Sequence, residues 1–373
     1  MNLFAKVGRL HWPLFFVMLA LCVASVFFVR SATYFSEEYQ QAWLSQIFWL
    51  GIGLCAFFVA ALVDYRTWVE VAWIIFVAVF VLLVAVAVFG SWAFGAKRWL
   101  RLGPIALQPS ELEKVAFILM MVWLLIKVRL RGMKFCLMAV GLAVPPALLI
   151  LKQPDLGSAS VLFPIAFMMM YVGGVKKRYL AIPVVVLGLL SFYLYYGFFL
   201  HGWHLPLLHD YQVARIRTFF DPSLDPLNRG WTINQSLIAI GSGGFQGKGY
   251  MQGTQNMLGF LPRNISYTDF IFAVIGEDWG FRGGAAVILG LTMIIVLSVY
   301  IASQAEDDAG ALLAVGVATM LFTHFFVNIG MTIKVVPITG IPLPFISYGG
   351  TFLVICLASL GLVQSVWVHK RTR

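Results

Sequence analysis

Residues 221–280 read DPSLDPLNRGWTINQSLIAIGSGGFQGKGYMQGTQNMLGFLPRNISYTDFIFAVIGEDWG, a polar, glycine-rich stretch in a chain that is otherwise almost entirely hydrophobic. Within a bilayer, non-helical polar backbone must be satisfied by water or by a protein wall. A stretch of this length predicts an ordered site facing water. The apolar sequence on either side fixes the fold around it.

The chain has 373 residues, 61% hydrophobic and 11% charged, with a mean hydropathy of +0.89. It reads as an all-α polytopic membrane protein. Windows long enough to cross a bilayer, about 20 apolar residues each, recur about ten times. They lie near 13–30, 45–63, 69–90, 110–127, 135–151, 157–175, 180–200, 270–301, 311–333 and 345–368. The fourth opens on Glu111, Glu113 and Lys114, and Pro145-Pro146 is expected to kink the fifth. One large extracytoplasmic loop, about 201–268, interrupts a single membrane domain covering 1–373. Within it, Val213, Ile216, Phe219 and Phe220 fall at helical spacing opposite Arg215 and Arg217, which predicts a short amphipathic surface helix. The first span follows Lys6, Arg9 and His11 without a small-residue cleavage site and is expected to be retained. Cys22, Cys55, Cys136 and Cys356 all fall inside spans, with no C-x-x-C pair, and read as packing residues.

With both termini in the cytoplasm, Arg66, the Lys127/Arg129/Arg131/Lys134 cluster, Lys176-Lys177-Arg178 and Lys370-Arg371 all lie inside, a positive-inside pattern. Half of the 26 Lys and Arg residues nevertheless fall at or beyond the outer face, among them Lys97, Arg98, Arg101, Lys114, Lys152, Arg215, Arg217, Lys248 and Arg263. A lipid-linked phosphate at that depth would account for the excess. Solvation of a long loop is the plainer alternative. Nucleic acid is not a partner for basic residues outside the membrane.

Several motifs could carry chemistry. Gly241–Gly249, GSGGFQGKG, lacks phosphate-loop spacing, because Ser242 stands five before Gly247 and Gly249 follows Lys248. Its glycines allow close backbone approach and Lys248 could meet a phosphate, but a plain turn explains the glycines equally. Asp269 enters the eighth span with Glu277 and Asp278 close behind. It reads either as a helix N-cap or as a general base facing a sugar hydroxyl. Glu111 and Lys114, three apart after Gln108-Pro-Ser, share a helix face, as an interfacial ion pair or as part of a site. Asp155 in Lys152-Gln-Pro-Asp155 could cap a helix or, with Lys152, wall a polar cavity. The proline-rich turn at 336–350 reads as structural, and His324 and Asn328 as interhelical hydrogen-bonders.

Six stretches in order resemble the SEDS family of bacterial cell-wall polymerases: RWLRLGPIALQPSELEK (98–114), KQPDLGSA (152–159), RIRTFFDPSLDPLNRGW (215–231), NQSLIAIGSGGFQGKGYMQGTQ (234–255), TDFIFAVIGED (268–278) and PITGIPLPFISYGG (337–350). The short amino-terminal tail and the GKGYMQGTQ wording resemble its elongation branch more than its division branch. The link Pro262–Tyr267 departs from the family's shorter, Glu- and His-containing one, and Glu277-Asp278 replaces the commoner Glu-Glu.

The resemblance implies a peptidoglycan glycosyltransferase of the inner membrane that polymerises lipid II, a polyprenyl-pyrophosphate-linked glycan precursor, on the outer face. A class B penicillin-binding protein would supply the transpeptidase within the elongation machinery. Asp269 matches the family's essential aspartate. Lys114, Arg98, Arg101, Arg217 and Lys248 become candidates to neutralise the pyrophosphate, with Glu111 and Asp155 beside them. A divalent cation, Mg or Mn, could share that pyrophosphate, although the sequence holds no dedicated ligand set for one. The rival reading is a flippase for the same precursor. A flippase needs polar residues through to the inner face, whereas here they concentrate at the outer side.

Overall fold

The structure is a computed structural model that describes residues 3–93, 96–102, 105–129, 132–196, 210–221, 223, 225 and 229–370. In chain order the elements are α1 (Leu3–Gly8), α2 (Trp12–Thr33), α3 (Ala42–Leu62), α4 (Tyr65–Glu70) and α5 (Ala72–Phe89). Three strands follow, β1 (Ser91–Ala93), β2 (Ala96–Leu102) and β3 (Ile105–Leu107). Then come α6 (Pro109–Ile126), α7 (Gly132–Lys152), α8 (Leu156–Val172), α9 (Lys177–Tyr195), α10 (Asp210–Phe220), α11 (Arg229–Ser242) and α12 (Thr254–Met257). The last three are α13 (Ile271–Ser303), α14 (Asp308–Thr332) and α15 (Gly350–Val368).

Helices lie within the apolar windows of the sequence among the described residues. Among the described residues, seven of these (α2, α3, α5, α7, α13, α14 and α15) are long and apolar enough to cross a membrane. α8 is apolar but shorter. The Pro145-Pro146 pair lies inside α7. α6 carries the three ionisable residues of its first turns at wholly buried positions.

The arrangement explains how charges come to sit in the core. α6, α8 and α14 pack on one another, and α15 lies along α3 and against α14. α14 and α15 are the most enclosed of the apolar spans, and α6 is buried on nearly every face. Pro109 starts α6 at a position where no backbone donor is needed. Asp155 starts α8 by accepting from the Ser158 amide at 3.0 Å, and Asp307 starts α14 by accepting from Gly310 N at 2.9 Å.

Three features differ from the sequence reading. A small antiparallel sheet, ordered β1-β2-β3, joins α5 to α6 in an otherwise helical molecule. Much of the polar stretch is helical. α10 forms where the amphipathic pattern predicts it, and α11 takes 14 residues whose Ile233, Ser236 and Ala239 are buried. The glycine loop behind α11 finds backbone partners in the protein. α13 breaks at Gly280 (φ 62°, ψ −157°), and the loop supplies the hydrogen bonds that the break leaves open. Lys248 N donates to Glu277 O and Gly249 N to Asp278 O, both at 3.0 Å, while Phe281 N donates to Gly244 O at 2.8 Å. Gly243 lies so close to α13 that a Cβ there would overlap the Gly276 carbonyl oxygen. The glycines therefore let a loop approach a kinked helix, and the amides of Lys248 and Gly249 are already used.

Candidate active site

Asp269 lies in the turn ahead of α13 but does not cap it. The capping residue is Phe270, and no side chain bonds the first amides. Asp269 therefore does not serve as the N-cap, and its carboxylate takes a side-chain hydrogen bond with Thr268. The aspartate is held by its backbone instead: Asn328 of α14 donates from Nδ2 to Asp269 O at 2.9 Å and to Ile341 O at 2.7 Å. The turn containing Ile341 lies against the carboxylate. Gly340 (φ 76°) is a position where a Cβ would sit 3.3 Å from Asp269 Oδ2, and left-handed backbone there favours glycine.

Two guanidinium groups act on this carboxyl. Arg98 reaches over from β2, donating to Gln153 O at 3.1 Å and to Pro154 O at 2.6 Å, with Nη1 3.8 Å from Asp155 Oδ2. Arg215 of α10 donates to Thr339 O at 3.0 Å. Burial pushes the Asp269 carboxyl up to about 6, against the pull of Arg98 and Arg215, and Asp155 pushes in the same direction as burial. An aspartate titrating there is a better proton acceptor near neutral pH than an ordinary one. Asp155 both caps α8 and accepts from Gln108 Nε2 at 3.3 Å.

Deeper in the bundle, Lys114 Nζ lies 2.6 Å from Glu111 Oε2 and 2.9 Å from His324 Nε2, with no exposure. It also faces the Phe352 ring, 5.7 Å from the centroid. Ser158 Oγ, 3.4 Å from Glu111 Oε1, links this pair to the start of α8 and so to Asp155. Lys114, Glu111, Asp155 and Arg98 thus form one connected network, and its Arg98 and Asp155 act electrostatically on Asp269.

Other predicted residues are placed differently. Lys248 donates to Glu277 Oε1 at 2.6 Å and to Thr254 Oγ1 at 2.7 Å, in a second cluster at the α13 break where Ser31 Oγ donates to Asp278 Oδ2. Arg217 is exposed on α10, while Arg215 is the arginine of that helix turned toward Asp269. Arg101 pairs with Ala106 in the sheet, and its side chain lies outside what is described. Arg215, which the sequence reading named only among the outer-face cations, is a site neighbour, and so are His324 and Asn328, which it read as interhelical hydrogen-bonders. The sequence reading set Arg215 and Arg217 together opposite the apolar positions, but residues two apart in a helix do not share a face, and that offset was the available signal. Among the described residues, no group of three or more His, Cys, Asp or Glu side chains could hold a metal ion.

Comparison with known proteins agrees with this architecture. Residues 10–372 match the FtsW/RodA/SpoVE family, described as cell cycle protein. The chain is 36% identical to the peptidoglycan glycosyltransferase MrdB of Escherichia coli (strain K12), over 95% of this chain and 92% of that one. It is 33% identical to the peptidoglycan glycosyltransferase RodA of Treponema pallidum (strain Nichols), over 96% and 98%. A solved chain from a peptidoglycan synthase complex that coordinates polymerization and crosslinking superposes with a TM-score of 0.80 at 28% identity, covering 98% of this chain and 99% of that one. The chain belongs to the FtsW/RodA/SpoVE family, the SEDS family of multi-pass membrane proteins.

Proposed function

We propose that the chain is a peptidoglycan glycosyltransferase that polymerises lipid II into glycan strands on the outer face of the bacterial inner membrane during cell elongation, with both termini in the cytoplasm. The observation that carries the reading is the Asp269 carboxylate, which does not cap a helix and feels the pull of both Arg98 and Arg215. Asp269 accepts the proton of the acceptor sugar's 4-hydroxyl as that oxygen attacks the anomeric carbon of the donor. The bond to the polyprenyl pyrophosphate breaks in the same displacement. With no protein nucleophile the anomeric centre inverts, so an α-linked donor gives a β-linked strand. Charge developing on the pyrophosphate needs fixed cations. Arg98 and Arg215 are the cations that act on Asp269, and Lys114, paired with Glu111, is the further candidate deeper in the bundle.

A class B penicillin-binding protein is the expected partner, as supported by the likeness to a chain of a complex that joins polymerization to crosslinking. The test is a reconstitution with that partner and purified lipid II. Glycan strands on a gel support the reading. Transfer of lipid II across vesicles without strands would make the protein a flippase.

A further inference from the structure

A second site lies on the lipid-facing side, between α2 and α13. It is a groove of about 790 Å³, floored by Val17, Ala20 and Ala24 of α2 and by Gly283, Ala286 and Gly290 of α13. The small side chains keep the floor low. No residue of the Asp269 network lines it.

Its outer end has a polar roof. The Tyr250 ring spans the gap, 6.4 Å from the Phe27 ring and 6.3 Å from the Trp279 ring. The Tyr250 hydroxyl is buried with no hydrogen-bond partner, an arrangement that native structures rarely leave unexplained. Arg30, in the last turn of α2, is exposed and acts electrostatically on Tyr250. Its only described partner is the Trp43 ring, 5.2 Å away. An apolar slot thus ends at a phenol donor on which the Arg30 guanidinium and the Asp278 carboxylate both act.

We propose that this groove binds an anionic glycerophospholipid, one acyl chain lying along α2 and α13 and the phosphate meeting Arg30 and the Tyr250 hydroxyl. The length of the slot favours an acyl chain over a polyprenyl chain. Residues 17–28 of α2 span roughly 16 Å, about one leaflet of a ~30 Å hydrocarbon core, whereas a polyprenyl chain is several times longer than an acyl chain. The occupant would brace the α13 break, since Tyr250 and Trp279 flank the bond between Ser31 and Asp278. This inference does not depend on the proposed reaction.

The test uses delipidated full-length protein titrated with phosphatidylglycerol, phosphatidylcholine or polyprenyl phosphate, read by thermal unfolding and native mass spectrometry. Phosphatidylglycerol is expected to raise Tm by about 2–4 °C and phosphatidylcholine by less. Arg30→Gln should weaken retention of phosphatidylglycerol by roughly fivefold, and Tyr250→Phe should weaken it further. Arg30 is exposed, and Tyr250→Phe keeps the ring while removing a hydroxyl that has no partner, so both variants are expected to fold. Ala24→Phe, which fills the slot, should abolish the shift in an otherwise intact protein. Equal shifts with the two phospholipids, or an unchanged shift in the Arg30→Gln/Tyr250→Phe variant, would overturn the proposal. Tighter binding of polyprenyl phosphate, or displacement of the lipid by the transpeptidase partner, would also overturn it by giving the groove to another occupant.

Discussion

The side-chain amide of Asn328 bridges two backbone carbonyls, those of Asp269 and Ile341, at 2.9 and 2.7 Å. One residue of α14 therefore fixes the turn carrying the candidate base against the turn that carries Gly340. A general base works only within hydrogen-bond reach of the proton it takes, so this bridge bears on rate as well as stability. Asn328→Ala is expected to lower glycan synthesis by about tenfold or more and to cost roughly 2 kcal/mol for two lost hydrogen bonds. Steady-state rates and thermal unfolding of the same preparation check both.

The pH dependence of synthesis should report Asp269. The base must be ionised, so activity should rise with a midpoint near 6 and be lost in acid. Arg98→Gln and Arg215→Gln remove cations that pull the carboxyl down and should move the midpoint up. Asp155→Asn removes a charge that pushes it up and should move the midpoint down, while an asparagine can still cap α8. Opposite shifts from neighbouring substitutions are hard to produce by general damage, and a pH–rate series on the three variants tests them.

The same raised value affects folding. The folded carboxyl titrates above its unfolded value of 3.8, so the stability present in acid is lost as pH rises through about 6. At neutral pH the charge costs about 1–2 kcal/mol after allowing for its partial exposure. Asp269→Asn should therefore melt at the same temperature as the wild type or higher at pH 7.5, with the gap closing at pH 4.5, as read by thermal unfolding at both values.

Lys114 and Glu111 form a buried pair whose members depend on each other. Removing one charge leaves the other unpaired in the core, at a cost of about 3 kcal/mol or more. Lys114→Met and Glu111→Gln should each destabilise the protein strongly, and the double variant should recover most of the stability. Activity should not recover with it if the Lys114 ammonium itself serves the reaction. Comparing Tm with strand synthesis across the three variants separates the roles.

Much of this was legible in the chain because bilayer thickness sets helix length, so apolar runs locate helices without knowledge of their neighbours. Asp155 was readable as a cap because a cap is a local event. The partners of His324 and Asn328 were not readable. Their four-residue spacing showed a shared face, but the groups they meet, Lys114 and the Asp269 carbonyl, lie 210 and 59 positions away. The glycines at 243–249 left two readings open for a related reason. A loop built to approach something closely has the same composition whether it meets a ligand or the broken turn of α13, and only the fold shows that Gly280 lies opposite. α11 was hidden by its polar composition, which lacks the long apolar run that marks a span but still buries Ile233 and Ala239.

The most direct test is lipid II polymerisation by Asp269→Asn, purified with its transpeptidase partner and shown to be folded by its melting curve. The account predicts no glycan strands from a protein at least as stable as wild type. Strands made at the wild-type rate would contradict it and remove Asp269 from the chemistry.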